Sequence, residues 1–122
     1  MGLMPKALPA VDTTAPVCCA PLAAGVVDAE DALAIALRLK ALADPVRVQL
    51  MSRLLAEADT GLCTCDLAPA VGLSEATVSH HLKQLREAGL VAGTRKGTNV
   101  YYRPQPQALG ALCRVIDPSC CL

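Results

Sequence analysis

Leu73-Ser-Glu-Ala-Thr-Val-Ser-His-His-Leu-Lys-Gln-Leu-Arg-Glu-Ala-Gly-Leu-Val91 carries two patterns at once. Val78, Leu82 and Leu85 recur at helical spacing and form one buried stripe. Thr77, Ser79, His80, Lys83, Gln84 and Arg86 fall off that stripe, and all of them can hydrogen-bond. Ser74 suits an N-cap, because its hydroxyl can accept from the free amide hydrogens of the first turn. Gly89 stands where a helix commonly ends in a left-handed residue, and Leu90 then opens a strand. A surface helix can be polar for solubility alone, so the flanks decide its role.

Upstream, Asp66-Leu-Ala-Pro-Ala-Val-Gly72 reads as a short helix ending at glycine, two residues before the Ser74 cap. A helix, a tight glycine turn and a polar-faced second helix make a helix-turn-helix, whose second helix can enter a major groove. Downstream, residues 90–103 read as a hairpin with strands 90–95 and 99–103 and Lys96-Gly97-Thr98 at the turn. Arg95 and Lys96 stand at its tip, where a wing meets phosphate. The expected fold is mainly α with a β-hairpin wing, a winged helix-turn-helix. Its expected partner is double-stranded DNA, with Ser74, Thr77, Ser79, His80, Lys83 and Gln84 at the groove and Arg95 and Lys96 on the backbone.

The chain has 122 residues, enough for one domain with a core, and no net charge. The charge is uneven, however. Between Ser74 and Arg103, five cations (Lys83, Arg86, Arg95, Lys96, Arg103) face two carboxylates, Glu75 and Glu87. Local sign governs phosphate steering more than the total does. Tyr101 and Tyr102 are the only aromatics, which argues against the stacking platforms of single-strand binders.

Residues 1–27 hold Pro5, Pro9, Pro16 and Pro21 without helical period and are expected to form a flexible arm. Residues 28–117 make the winged-helix and dimerisation domain, and 118–122 a tail. No secretory core or long apolar run appears, so a cytoplasmic protein without a membrane span is expected. Asp28 caps a helix to about Ala43 whose apolar residues Leu33, Ala36, Leu37, Leu39, Ala41 and Leu42 spread over two flanks. A helix that broadly apolar covers its own core and a partner chain. Asp44-Pro45 starts the next helix, with Leu50, Met51, Leu54 and Leu55 inward. Pro106 opens a last helix carrying Leu109, Leu112, Val115 and Ile116. Two greasy terminal helices point to a homodimer.

Leu39-Lys-Ala-Leu-Ala-Asp-Pro-Val-Arg47, Leu62-Cys-Thr-Cys-Asp-Leu67, Thr77 to Val91 and Val100-Tyr-Tyr102 resemble the ArsR/SmtB family of metal-responsive repressors. The resemblance covers roughly residues 30–116. It implies a dimeric winged-helix repressor that leaves its operator when a metal or metalloid binds. Two positions depart from the family: Val46 stands where a hydroxyl residue is frequent, and Glu75 where glutamine is. Glu75 would accept from a cytosine amino group rather than pair with adenine.

Seven cysteines in a reducing compartment point to metal ligands or redox thiols rather than structural disulfides. Cys63 and Cys65 lie at the start of the first helix of the helix-turn-helix, where a helix N-terminus favours the thiolate. Cys18-Cys19 lies on the arm, where burial cannot account for two thiols. Its position resembles the arm pair of arsenic-responsive ArsR repressors, and arm plus Cys-x-Cys also resembles the cadmium/lead repressors. The expected inducer ligands are thus Cys18, Cys19, Cys63 and Cys65, with Cys120 and Cys121 a secondary pair and Cys113 a core residue.

Soft thiolates select soft ions. The two histidines, His80 and His81, belong to the recognition helix, and the last helix offers only Asp117 where the zinc-sensing relatives place Asp and His. Arsenite or antimonite is the expected inducer, since As(III) and Sb(III) take three thiolates in a pyramid. Cd(II) or Pb(II) is the alternative, and a thiol-redox repressor a further one. The motifs of an enzyme are missing: no phosphate loop, no His-Glu-x-x-His, no Cys-x-x-Cys.

Overall fold

The computed structural model describes Leu22 and residues 25–116. The arm pair Cys18-Cys19, the tail pair Cys120-Cys121 and Asp117 lie outside the described residues.

Three of the helices begin where a side-chain acceptor stands. Asp28 accepts from the Asp31 amide at 2.8 Å and starts α1, Ala29–Leu42. Asp44 accepts from the amides of Val46 (2.8 Å) and Arg47 (3.3 Å) and starts α2, Pro45–Ala56. Proline at the first helical position loses no hydrogen bond, since its amide would be an orphan there. A two-residue strand, β1 (Leu62–Cys63), precedes α3, Thr64–Val71. Gly72, at φ +71°, turns the chain out of α3, a backbone conformation that glycine adopts without strain. Ser74 then accepts from the Thr77 amide at 3.2 Å and starts α4, Glu75–Glu87.

β2 (Val91–Lys96) and β3 (Asn99–Pro104) form the hairpin, pairing Lys96 with Asn99 and Arg95 with Val100. The connection is Gly97-Thr98, with Gly97 at φ +64°, as two-residue hairpin loops require. β1 adds to the outer edge of β3, with Leu62 opposite Tyr102 and Cys63 opposite Tyr101. The chain closes with α5, Pro106–Ile116.

Leu50 and Leu54 of α2, Leu67 of α3, Val78, Leu82 and Leu85 of α4, and Leu90 meet in one core with no solvent exposure. Each such side chain contributes roughly 1.5–3 kcal/mol by leaving water. Tyr102 extends this core into the sheet. A second cluster joins Ile35 of α1 to Leu112 and Val115 of α5. The terminal helices thus pack on each other.

Helix boundaries agree with the sequence reading to within two residues, and three details differ. α3 starts at Thr64 rather than Asp66, because Cys63 serves as its cap residue. The strand after α4 starts at Val91, since Leu90 is still held by the carbonyl of Leu85. Leu55, expected inward, is 50% exposed. It is turned about 100° from Leu54, which already occupies the core-facing position. Leu37, Leu39 and Ile116 also remain exposed on α1 and α5. None of the described helices is long and apolar enough to cross a membrane.

Candidate nucleic-acid interface and thiol site

The buried stripe of α4 fixes what its opposite face presents. At 3.6 residues per turn, the line facing away from Val78, Leu82 and Leu85 runs through Ala76, His80, Lys83 and Glu87, all exposed. Thr77 and Ser79 flank this line and are exposed as well. Ala76 had no sequence signal beyond its size, yet a small residue there lets the helix approach closely.

Two expected groove residues are occupied otherwise. The Ser74 hydroxyl accepts from the Thr77 amide and donates to Thr77 Oγ1 at 2.9 Å, so its hydrogen is already committed. Gln84 is half-buried and lines a crevice of about 470 Å³ between α1 and α4, with Leu37, Lys40 and Arg47. His80, Lys83, Thr77 and Ser79 form the accessible set.

In the wing, Arg95 and Lys96 are exposed at the tip, and the Lys96 ammonium lies 5.4 Å from the Tyr101 ring centre. A cation over an aromatic face is held without being neutralised.

The strand-to-helix passage at β1–α3 brings a different chemistry together. Cys63 is buried in the sheet edge, Cys65 and Asp66 are exposed, and their donor atoms lie within 4.8 Å of one another. The Cys63 and Cys65 sulfurs are joined as a disulfide, with Cα atoms 5.2 Å apart. Where the sequence leads to thiolates, the structure carries the oxidised form of the pair. Their convergence follows from the backbone, since Cys63 is extended and Thr64 begins the helix. Asp66 Oδ2 accepts from the Cys63 amide at 3.2 Å and lies 3.2 Å from Cys63 Sγ. A thiol has a hydrogen for that oxygen, and a disulfide has none. Cys113, expected as a core residue, is half-buried and itself disulfide-bonded.

Two contacts had no signature in the sequence. Thr64, between the two cysteines, donates its hydroxyl to Glu75 Oε1 at 3.1 Å and so ties the thiol turn to the first residue of α4. Arg47 Nε donates to His81 Nδ1 at 3.2 Å, and Arg47 Nη1 to the Ala41 carbonyl at 3.2 Å. Asp44 sits at the foot of this cluster. Burial pushes its carboxyl up, but the amides of Arg47 and Val46, with the neighbouring His81 and Arg47 side chains, outweigh that. They hold it below its ordinary value.

The model of the bacterial regulatory proteins of the arsR family matches residues 44–92, from the cap of α2 into the wing. An ArsR2 protein of Halobacterium salinarum, named for the arsenical resistance operon, is 44% identical over 88 residues, 71% of each chain. A cadmium resistance regulatory protein CadC homologue of Staphylococcus aureus is 41% identical over 63 residues. That match covers 52% of this chain and 50% of the relative. Among solved structures, the antimony-specific transcriptional repressor AntR superposes with a TM-score of 0.62 at 31% identity, over 72% of this chain and 78% of that one.

Proposed function

Because the chain belongs to the ArsR family of bacterial regulatory proteins, we propose that it is an operator-binding repressor released by trivalent arsenic or antimony. The family's work is transcriptional repression through a winged helix-turn-helix. The inducer, the ligand set and the dimer are our own reading.

Cys63 and Cys65 in their reduced form would supply two soft bonds. The third would come from Cys18 or Cys19 on the arm, or from Cys120 or Cys121 on the tail. The donor set fits: two sulfurs at one turn suit an ion that wants thiolates, and each capturing thiol would lose its proton to an arsenite hydroxyl that leaves as water. Relatives and neighbours named for arsenical resistance and for antimony support this choice. When bound, the ion would supply soft bonding to thiolates, and everything else would be done by the chain.

The observation that carries the reading is the Thr64–Glu75 hydrogen bond. Thr64 stands between the two cysteines, so a shift of that turn would be felt at Glu75 through this contact. Drawing Cys63 and Cys65 toward arm thiols therefore disturbs the first turn of the helix that faces DNA. In a dimer the effect is doubled, because half-sites stand about one helical turn apart and both recognition helices must fit together.

The test is release of a fluorescent operator duplex from the full chain by arsenite, antimonite, cadmium and zinc. Arsenite or antimonite should act at the lowest concentration. Cys18→Ser with Cys19→Ser should abolish the response and leave DNA affinity intact. A double variant that still responds would move the third ligand to Cys120 and Cys121, and release at lowest concentration by cadmium would assign the site to the CadC-like class.

A redox reading is favoured by one observation, the disulfide between Cys63 and Cys65. Intact mass after arsenite or peroxide treatment separates the two. An arsenic adduct that accompanies release supports the first reading, and loss of two hydrogens with release supports the second.

A further inference from the structure

The Arg47 guanidinium reaches two elements that do different work. Nη1 donates to the carbonyl of Ala41 in the last turn of α1, where backbone acceptors have no intrahelical partner. Nε donates to His81 Nδ1 on the recognition helix. An arginine nitrogen can only donate. His81 must then be neutral, with its hydrogen on Nε2 and its Nδ1 lone pair turned to Arg47.

We propose that Arg47 is a positioning residue for DNA binding, holding α4 in register with α1 through His81, and that operator affinity therefore requires an unprotonated His81 Nδ1. The inference rests on α4 as the groove-facing helix.

The surroundings fix the sign. From α2, Asp44 and Arg47 face the imidazole; from α4, His80 lies with its ring centre 6.1 Å away; from α1, Lys40 lines the same crevice, which Glu87 borders. A proton on Nδ1 removes the acceptor and sets two cations against each other beside the one Asp44 carboxylate that faces both. The loss of the acceptor detaches His81 from Arg47. The tie between α1 and the recognition helix is then lost, although His81 stays at the site. Protonation of His80 acts the other way, since a cation at the groove attracts phosphate.

The effects of the two histidines separate in a comparison of the wild-type chain with His81→Asn. Asparagine places its Oδ1 where Nδ1 stands, accepts the same bond and does not titrate. The probe is a duplex enriched from a random-sequence pool by the wild-type protein, with affinity measured from pH 7.5 to 5.5 at constant ionic strength. At pH 7.5 the two proteins should bind within about twofold. Between pH 7.5 and 5.5 the wild type should weaken about tenfold relative to His81→Asn, the usual scale for losing one hydrogen bond to a charged group. Arg47→Lys, which cannot donate in two directions from a rigid fork, should bind more weakly at pH 7.5 and show no such difference.

Parallel pH profiles for the wild type and His81→Asn would overturn the inference. A nitrogen-15 spectrum of wild-type histidines gives a reading that no variant's folding can obscure. His81 should be in the Nε2–H form at pH 7.5, and an Nδ1–H form would equally overturn it. A wild-type chain that enriches no duplex at all would instead contradict the reading of α4 itself.

Discussion

At Cys63 one residue is strand, helix cap and ligand candidate together. Its backbone pairs with Tyr101, its amide is held by Asp66, and its sulfur faces that of Cys65. Substitution by serine should preserve the cap, because a hydroxyl accepts from helix amides better than sulfur does, while removing one soft ligand. Cys63→Ser should thus keep its thermal stability and lose the arsenite response; a variant that melts much earlier would make Cys63 structural first. Leu82 lies at the opposite extreme, buried without exposure and with no polar role. Leu82→Ala should lower unfolding free energy by about 2–5 kcal/mol in urea titration. At Asp44 the sign of the pH effect follows from its lowered carboxyl. The cap contributes fully above the ordinary carboxyl value and fades as the pH falls through the lower folded value. Asp44→Ala should show a smaller acid-induced loss of stability than the wild type, read by denaturant midpoints from pH 5 downward.

The helices are legible in the sequence because their signals are local: Asp28, Asp44 and Ser74 at the caps, Gly72 and Gly89 at the ends, and stripes such as Val78–Leu82–Leu85 between them. β1 is not, since two residues show no alternation and their pairing with β3 is decided by residues far along the chain. The same holds for Thr64–Glu75 and Arg47–His81, which join segments that no spacing rule relates. The crevice beside Gln84 is not legible in the sequence, because a helix flank is polar both toward DNA and toward a crevice, and only the packing of α1 reveals it. Caps and charge give predictions at this scale. Ser74→Ala should cost about 1 kcal/mol of stability, measured by thermal or urea unfolding, since Thr77 loses its acceptor. Replacing Arg95 and Lys96 by glutamine should weaken binding to all duplexes and reduce the slope of log affinity against log salt by about one per lost phosphate contact. An unchanged slope would remove the wing from the interface.

Across the described residues, side-chain contacts join the thiol turn, the recognition helix and α1. Thr64 joins the turn to α4, Arg47 joins α4 to α1, and α1 packs on α5 through Ile35, Leu112 and Val115. Leu37, Leu39 and Ile116 leave apolar surface on the outside of that pair. A second copy of the chain covering it would let a displacement at one thiol site reach both recognition helices. Sedimentation should give twice the chain mass, and Leu39→Glu should reduce it to one. If the protein is an arsenite-released repressor, soft-ion capture and operator binding oppose each other through these contacts. Linkage requires each ligand to weaken the other by the same factor, and couplings of about 1–3 kcal/mol are typical. The most direct measurement is arsenite affinity of the reduced protein, with and without saturating operator, in one buffer. Arsenite should bind more weakly to the DNA-bound protein, by about five- to 150-fold; equal affinities would mean that the two sites are not coupled, even if both ligands bind.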